Sequence, residues 1–320
     1  MRLPPGIPGR SFRTTIVSAP VLLILAGLLS GEVPLRAAEG ESGAKTVSPP
    51  AEPQEEKTDI SKKRLEVMKE HALSLRVSST ADGWPAQLEP APIFRYDDQT
   101  RGYVDGTVWR LGALGRPLAI ITTELHPNYL GGGPRVVYDF LSLSAQPFEA
   151  VGGGTRWNSG ASAVAMQRLP NAPAPADMPA ARLSQMKKLS LRFSATQDLE
   201  ETERVLVHLR RLPREIDRYV PVTAGKMAAG RNDAGQASET ESRSSERADG
   251  SIFLFANGRN PAIVLLIETD GTTWSYGAGR LSAPSTLTLL LDDEKVWTVP
   301  PASMARSEGY SATNVSARFP

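Results

Sequence analysis

Two periodicities organise this chain, and each occurs in both halves. Leu65, Met68, Ala72 and Leu73 fall at i, i+3, i+7 and i+8, with Lys62, Lys63, Lys69 and Glu70 outside that stripe. The spacing predicts an amphipathic helix that starts near Asp59 or Ser61 and ends near Ser78. Leu183, Met186, Leu189 and Phe193 predict a second helix, opened by Asp177 and Pro179. After each helix the pattern shortens to apolar runs divided by turn residues, as in an antiparallel meander. In the first half the expected strands are 92–96, 103–111, 118–125, 136–143 and 148–157. In the second half they are 205–209 and 216–222, then 251–255, 262–269, 273–280, 286–291 and 295–299. Gly152-Gly153-Gly154 predicts a bulge or loop, and Asp270-Gly271 and Asp292-Asp293 predict hairpin turns.

The halves also match residue by residue. Leu65-Glu66-Val67-Met68-Lys69 and Ser74-Leu75-Arg76-Val77-Ser78 correspond to Leu183-Ser184-Gln185-Met186-Lys187 and Ser190-Leu191-Arg192-Phe193-Ser194. Arg95-Tyr96 corresponds to Arg218-Tyr219, and Asp105-Gly106 to Asp249-Gly250. Gly115-Arg116-Pro117 corresponds to Gly258-Arg259-Asn260-Pro261, and Glu124 and Glu268 each stand seven residues after the proline. Trp157 and Trp297 close the two series. Matches kept in one order predict a duplicated unit of about one hundred residues, a domain-sized period. The expected fold class is therefore α+β: two duplicated units, each one amphipathic helix packed on an antiparallel meander of about five strands. Cystatin-like and hotdog-like units share this shape, which by itself carries no function.

The segments between these patterns set the domain plan. Residues 1–37 carry Arg2, Arg10 and Arg13 before an apolar stretch at 16–29, with Ala37 and Ala38 beyond it, the pattern of a secretory signal peptide. An uncleaved anchor is the alternative, though Pro20 breaks the stretch and it is short for a spanning helix. Residues 38–60 read as a disordered spacer, 61–159 as repeat 1 and 160–179 as a Pro/Ala linker. Residues 180–300 read as repeat 2, with a disordered insertion at 223–248, and 301–320 as an unstructured tail. The expected location is periplasmic or secreted, with no membrane span once the signal is removed.

Charge and cysteine content narrow the chemistry. Removing residues 1–37 takes away four arginines and one glutamate, which moves the formal charge from +1 to about −2. A near-neutral protein has no electrostatic footprint for nucleic acid. The chain has no cysteine, which excludes disulfides, thiolate catalysis and cysteine-ligated zinc.

Glu124 and Glu268 are the candidate catalytic carboxylates, because each ends an apolar strand where a carboxylate must be exposed or paired. Arg95 or Arg116 is the expected partner of Glu124, and Arg218 or Arg259 that of Glu268. His126, two residues after Glu124, is the third candidate. Glu124 and His126 supply two metal ligands with Asp139 as a third, short of a full set, so no metal or cofactor is expected. Ser142 or Ser144 with His126 and Asp139 makes a triad on paper, without a Gly-x-Ser-x-Gly elbow. His71 is expected to be solvated, and His208 to lie opposite the apolar face of its strand. The triplets 131–133 and 152–154 lack the following Gly-Lys-Ser/Thr of a phosphate loop.

The stretches at 182–189, 209–219, 249–269 and 294–297 resemble a family of exported bacterial proteins of unknown function. The resemblance spans roughly residues 60–300 and is most specific in the second half. It implies export and the strand pattern, and it carries no site residue. The functional expectation is a non-catalytic binding or scaffolding module outside the cytoplasm, with a protein, peptide or glycan ligand. The alternative is a hydrolase of an extracellular polymer with a carboxylate-based site.

Overall fold

The computed structural model describes residues 54–79, 85–98, 102–112, 115–199, 205–220, 248–302 and 309–320. The expected signal peptide, the spacer up to residue 53 and the 223–247 part of the insertion lie outside the described residues. The first half runs α1 (Gln54–Leu73), β1 (Arg76–Ser79), β2 (Pro85–Ala86), β3 (Phe94–Asp98), β4 (Tyr103–Leu111), β5 (Ala119–His126), β6 (Arg135–Ser142), β7 (Phe148–Gly152), β8 (Thr155–Asn158) and β9 (Gln167–Arg168). The second runs α2 (Pro179–Ser190), β10 (Phe193–Leu199), β11 (Val205–Arg211), β12 (Asp217–Tyr219), β13 (Asp249–Asn257), β14 (Asn260–Thr269), β15 (Trp274–Arg280), β16 (Thr286–Leu291), β17 (Glu294–Val299) and β18 (Tyr310–Ser316).

The protein is mostly β with two helices, and its strands form three antiparallel sheets. One sheet has the order β18-β6-β5-β4-β3 and a small one the order β2-β1-β7-β8. The long sheet has the order β17-β16-β10-β11-β13-β14-β15-β9, with β12 also paired to β13. β11 changes partner along its length: residues 205–209 pair with β10, and Arg210 and Arg211 pair with β13.

Side-chain alternation along β5 and β14 explains the layering. Ile121 and Leu125 point to a core shared with Met68 and Ala72 of α1, whereas Ile120 points the other way. Leu265 and Ile267 meet Met186 and Leu189 of α2, whereas Val264 and Leu266 point away from it. The outward set from both sheets forms one cluster, in which Val108, Ile120 and Leu141 join Ile252, Leu254, Val264 and Leu266. The order of layers is therefore helix, sheet, sheet, helix. Strands buried on both faces read in the sequence as near-continuous apolar runs, as 118–125 and 262–269 do.

Several expected boundaries move, each for a local reason. α1 begins at Gln54, inside the expected spacer, and stops at Leu73. Beyond it, residues 76–79 hydrogen-bond to β7 in place of a further helical turn. Leu73, expected in the buried stripe, is 42 % exposed. Phe193 opens β10 and not the end of α2. Residues 148–158 leave the first meander and pair with β1 in the small sheet. The glycines at 152–154 turn that hairpin with positive φ. β16 pairs with β10 and not with β15. The Pro/Ala linker is held down: Gln167 and Arg168 pair with β15, and Trp274 Nε1 donates to the Pro173 carbonyl at 2.9 Å. Residues after Pro301, expected to be unstructured, include β18, which pairs with β6 from Tyr310↔Leu141 to Ser316↔Arg135. Among the described residues no helix is long and apolar enough to cross a membrane.

Two glycines set how closely β3 and β12 approach their neighbours. A Cβ on Gly106 would lie 2.6 Å from the Tyr96 ring, and one on Gly250 would lie 2.5 Å from the Tyr219 ring. Both ring contacts are with rigid, buried side chains, so Gly106→Ala and Gly250→Ala should each cost about 1–3 kcal/mol as overpacking. Denaturant unfolding of the two variants measures this, and unchanged midpoints would contradict the close approach.

Candidate functional site

The carboxylates singled out in the sequence are held by strand register. Tyr96 pairs with Gly106, and Gly106 pairs with Glu124, so the Tyr96 ring crosses the bare glycine. Its hydroxyl donates to Glu124 Oε1 at 2.9 Å. Tyr219, Gly250 and Glu268 repeat this arrangement, with the Tyr219 hydroxyl donating to Glu268 Oε1 at 2.5 Å. Burial, reinforced by the neighbouring carboxylate, pushes both phenols well above their ordinary pKa. The residue before each glycine binds an arginine. Arg95 Nε donates to Asp105 Oδ1 at 2.9 Å, and Arg218 Nε donates to Asp249 Oδ1 at 3.0 Å.

The arginines expected to meet the glutamates mostly bind elsewhere. Arg95 and Arg218 go to Asp105 and Asp249, and Arg259 goes to Asp97. Arg116 does meet a glutamate, but it is Glu268 in the facing sheet and not Glu124 in its own. Its Nε donates to Glu268 Oε1 at 2.6 Å. Glu124 instead takes His126, whose Nε2 lies 2.9 Å from Glu124 Oε2. Tyr103 and Tyr129 flank the His126 ring at 5.5 and 5.3 Å between centroids.

Asp139 lies close by on β6 and is buried. Thr122 Oγ1 donates to it at 3.0 Å, and the Tyr310 hydroxyl of β18 donates to its other oxygen. Burial, with the charge of Glu124 adding to it, pushes the Asp139 carboxyl up to about 7. The hydrogen bonds from Tyr310 and Thr122 restrain that rise. Arg280 stacks over the Tyr310 ring at 5.3 Å and donates to the carbonyls of Ser282, Ala283 and Ser285. The triad drawn from the sequence does not assemble. Among the described residues Ser142 Oγ is buried without a hydrogen bond, Ser144 Oγ donates to the Gln146 carbonyl, and Asp139 is committed to Thr122 and Tyr310. Among the described residues no group of three or more His, Asp or Glu side chains is placed to hold a metal. His71, expected to be solvated, is half-buried with Nδ1 2.8 Å from the Tyr138 hydroxyl, and burial lowers its pKa. His208 is exposed on β11.

An open cleft of about 840 Å³ has Tyr96, the partner of Glu124, in its lining. Its walls are the first turns of α1, strands β3, β4 and β11, and the turn between β13 and β14. Lys57, Ile60, Arg64, Phe94, Arg210 and Arg259 line it, and so do Arg95 and its partner Asp105. None of Glu124, His126 and Glu268 lines it. The sequence signalled Arg95 and Arg259 by their repetition. Lys57 and Arg210 carried no such signal, because the cleft gathers positions far apart in the chain, and Arg64 carried it only as the residue before Leu65, matching Arg182 before Leu183.

Two outcomes follow from this geometry. Asp139 is protonated more readily in the folded than in the unfolded protein. That stability is complete below about pH 3.8 and is lost as pH rises through about 7. Urea unfolding between pH 5 and 8 should show wild-type stability falling relative to Asp139→Asn; parallel curves would contradict the shifted carboxyl. Arg116→Met leaves the buried Glu268 with Tyr219 as its partner, and should cost about 1–3 kcal/mol. This is less than a fully buried pair because the Arg116 side chain is 36 % exposed. Adding Glu268→Gln should recover part of the loss, and a fully additive double variant would show that the pair is uncoupled.

No protein-family model, curated protein or solved structure matches the chain.

Proposed function

We propose that the protein is an exported, non-catalytic binding module, built from a duplicated helix-and-meander unit, whose ligand occupies the cleft beside α1. The observation that carries this reading is the division of labour among polar side chains. Glu124 and Glu268 are occupied by tyrosine hydroxyls and by His126 or Arg116, inside the fold. The cleft is open and has the size of a small-ligand site, with a mostly charged lining and an apolar strip at Ile60, Phe94, Val104 and Leu212. Duplication is supported by the repeated tyrosine-glycine-glutamate and arginine-aspartate contacts. It is also supported by matching helix contacts: Arg95 Nη2 donates to the Ser61 carbonyl at 2.7 Å, and Arg218 Nη2 to the Pro179 carbonyl at 2.9 Å. Export rests on the charged and apolar pattern of residues 1–37 and on the family resemblance.

A second reading, hydrolysis of an extracellular polymer, is favoured by one feature. The hydrogen-bonded Glu124 and His126 stand near Asp139, whose carboxyl titrates near neutrality.

A calorimetric screen of defined neutral and charged oligosaccharides and peptides separates the two readings. Ile60→Trp, which narrows the cleft beside Phe94, should weaken any ligand found by at least about tenfold. Glu124→Gln should leave that affinity within about twofold, and chromatography should show the ligand intact. Binding indifferent to Ile60→Trp would move the site elsewhere. Cleavage lost in Glu124→Gln would establish the hydrolase.

A further inference from the structure

We propose that the cleft beside α1 binds an acidic oligosaccharide, carboxylated or sulfated, through Arg64, Arg210 and Phe94. The inference rests on the cleft being the binding site, and it names the ligand class.

Charge comes first. The lining residues bring five cationic side chains against two carboxylates, in a chain whose formal charge is only +1. The two carboxylates are taken: Asp105 by Arg95 and Asp97 by Arg259. Arg210 is exposed on β11, and no described residue pairs with its guanidinium. Arg64 donates from Nε to the Pro320 backbone oxygen at 3.0 Å. With Arg95 and Arg259 matched by carboxylates, Arg210 and the fork of Arg64 beyond its bond to Pro320 are what the cleft offers an anion, and their planar forks suit the two oxygens of a carboxylate or sulfate.

The second half of the chain shows what this place looks like when it is closed. Arg64 precedes Leu65 on α1 as Arg182 precedes Leu183 on α2. Arg182 is buried: its Nε donates to Asp249 Oδ2 at 3.1 Å, and its Nη1 donates to the Asp177 carbonyl at 2.6 Å. Asp249 thus takes two arginines, Arg182 and Arg218. Asp105 in the first half takes Arg95, and Arg64 lines the cleft instead. The same residue type at the matched sequence position therefore closes the core in one half and leaves its charge at a cavity wall in the other.

The walls narrow the chemistry further. Phe94 stacks on Tyr96 at 6.0 Å with 17° between planes, and it lines the cleft beside Ile60. A flat aromatic wall suits the apolar face of a sugar ring, and the arginines suit its acidic substituents. A single-stranded nucleic acid needs a row of exposed stacking aromatics. Here Phe94 supplies one, since Tyr96 is only 4 % exposed.

The test uses isothermal titration of the full chain with four probes. They are a heparin-derived tetrasaccharide, tetragalacturonate, neutral cellotetraose and an oligothymidylate of similar length. The expected result is binding of the sulfated or the carboxylated tetrasaccharide, weakened by added salt. Arg210→Glu should reduce it by about tenfold or more, and Ile60→Trp should reduce it similarly. Whichever acidic probe binds more tightly identifies the substituent. Arg210 is exposed and unpaired among the described residues, so its variant should fold, and an unchanged unfolding midpoint confirms that. Cellotetraose binding as tightly as the acidic probes, lost in Ile60→Trp but kept in Arg210→Glu, would overturn the anionic ligand and leave the cleft as a binding site. Oligothymidylate binding more tightly than both acidic sugars would replace saccharide with nucleic acid. Failure of both acidic sugars to bind at millimolar concentration would end the inference.

Discussion

Burial of both faces of the central strands is the constraint on which the rest of this structure depends. β5 and β14 each lie between a helix and the opposite sheet, so no side chain on them reaches open water cheaply. A carboxylate placed there must find a partner or lose its charge. Each acidic residue of the shared interior shows one of these outcomes. Glu268 is answered by Tyr219 and by Arg116 from across the interface. Glu124 is answered by Tyr96 and His126. Asp139, whose partners are hydroxyls, is pushed toward the neutral form. Asp217 of β12 meets Arg110 of β4 at 2.7 Å, another pair that joins the two sheets.

These pairs also fix how the sheets dock. An apolar interface of Val, Ile and Leu tolerates sliding and repacking, because its attraction has little direction. Arg116 with Glu268, Arg110 with Asp217 and Arg259 with Asp97 have direction, and each joins the first sheet to the second. A buried ion pair contributes little net stability against an apolar substitute, yet a broken one is strongly unfavourable. The Arg116 and Arg110 pairs therefore act mainly by excluding other registers, whereas Arg259 and Asp97 meet in the open, where a pair contributes little. The docking they select also brings Arg259 and β11 up to α1, which forms the cleft.

The helices, the central strands and the repeated positions were legible in the sequence, because they follow from period and local turn chemistry. Glu124 and Glu268 were recognisable as carboxylates in need of partners. Their actual partners were hidden because the tyrosine arrives through a glycine gap on a neighbouring strand. Arg116 crosses to the other sheet, and no local spacing reports that. β18 was illegible for a related reason. Its residues, Tyr310–Ser316, carry few large apolar side chains, and they are ordered by backbone pairing to β6 and by the Tyr310 bond to Asp139. The separation of 148–158 into its own sheet depends on β1, a segment that continued the helical pattern on paper.

The two halves, set side by side, also separate packing positions from candidate ligand positions. Contacts present in both halves, tyrosine over glycine onto glutamate and arginine onto aspartate, serve the packing of each sheet. A ligand site that exists once must instead be built from differences. Arg182 is buried against Asp249, whereas Arg64 lines the cleft. His126 stands two residues after Glu124 and binds it, whereas Asp270 stands two after Glu268 and accepts from Thr272 and Thr273 in its own turn. Tyr310 reaches Asp139 from β18 at the edge of the first sheet, and the short strand β9 occupies the edge of the second. Of these differences, only the one at Arg64 opens onto the cleft, and for that reason we place the proposed ligand there and not at the glutamates.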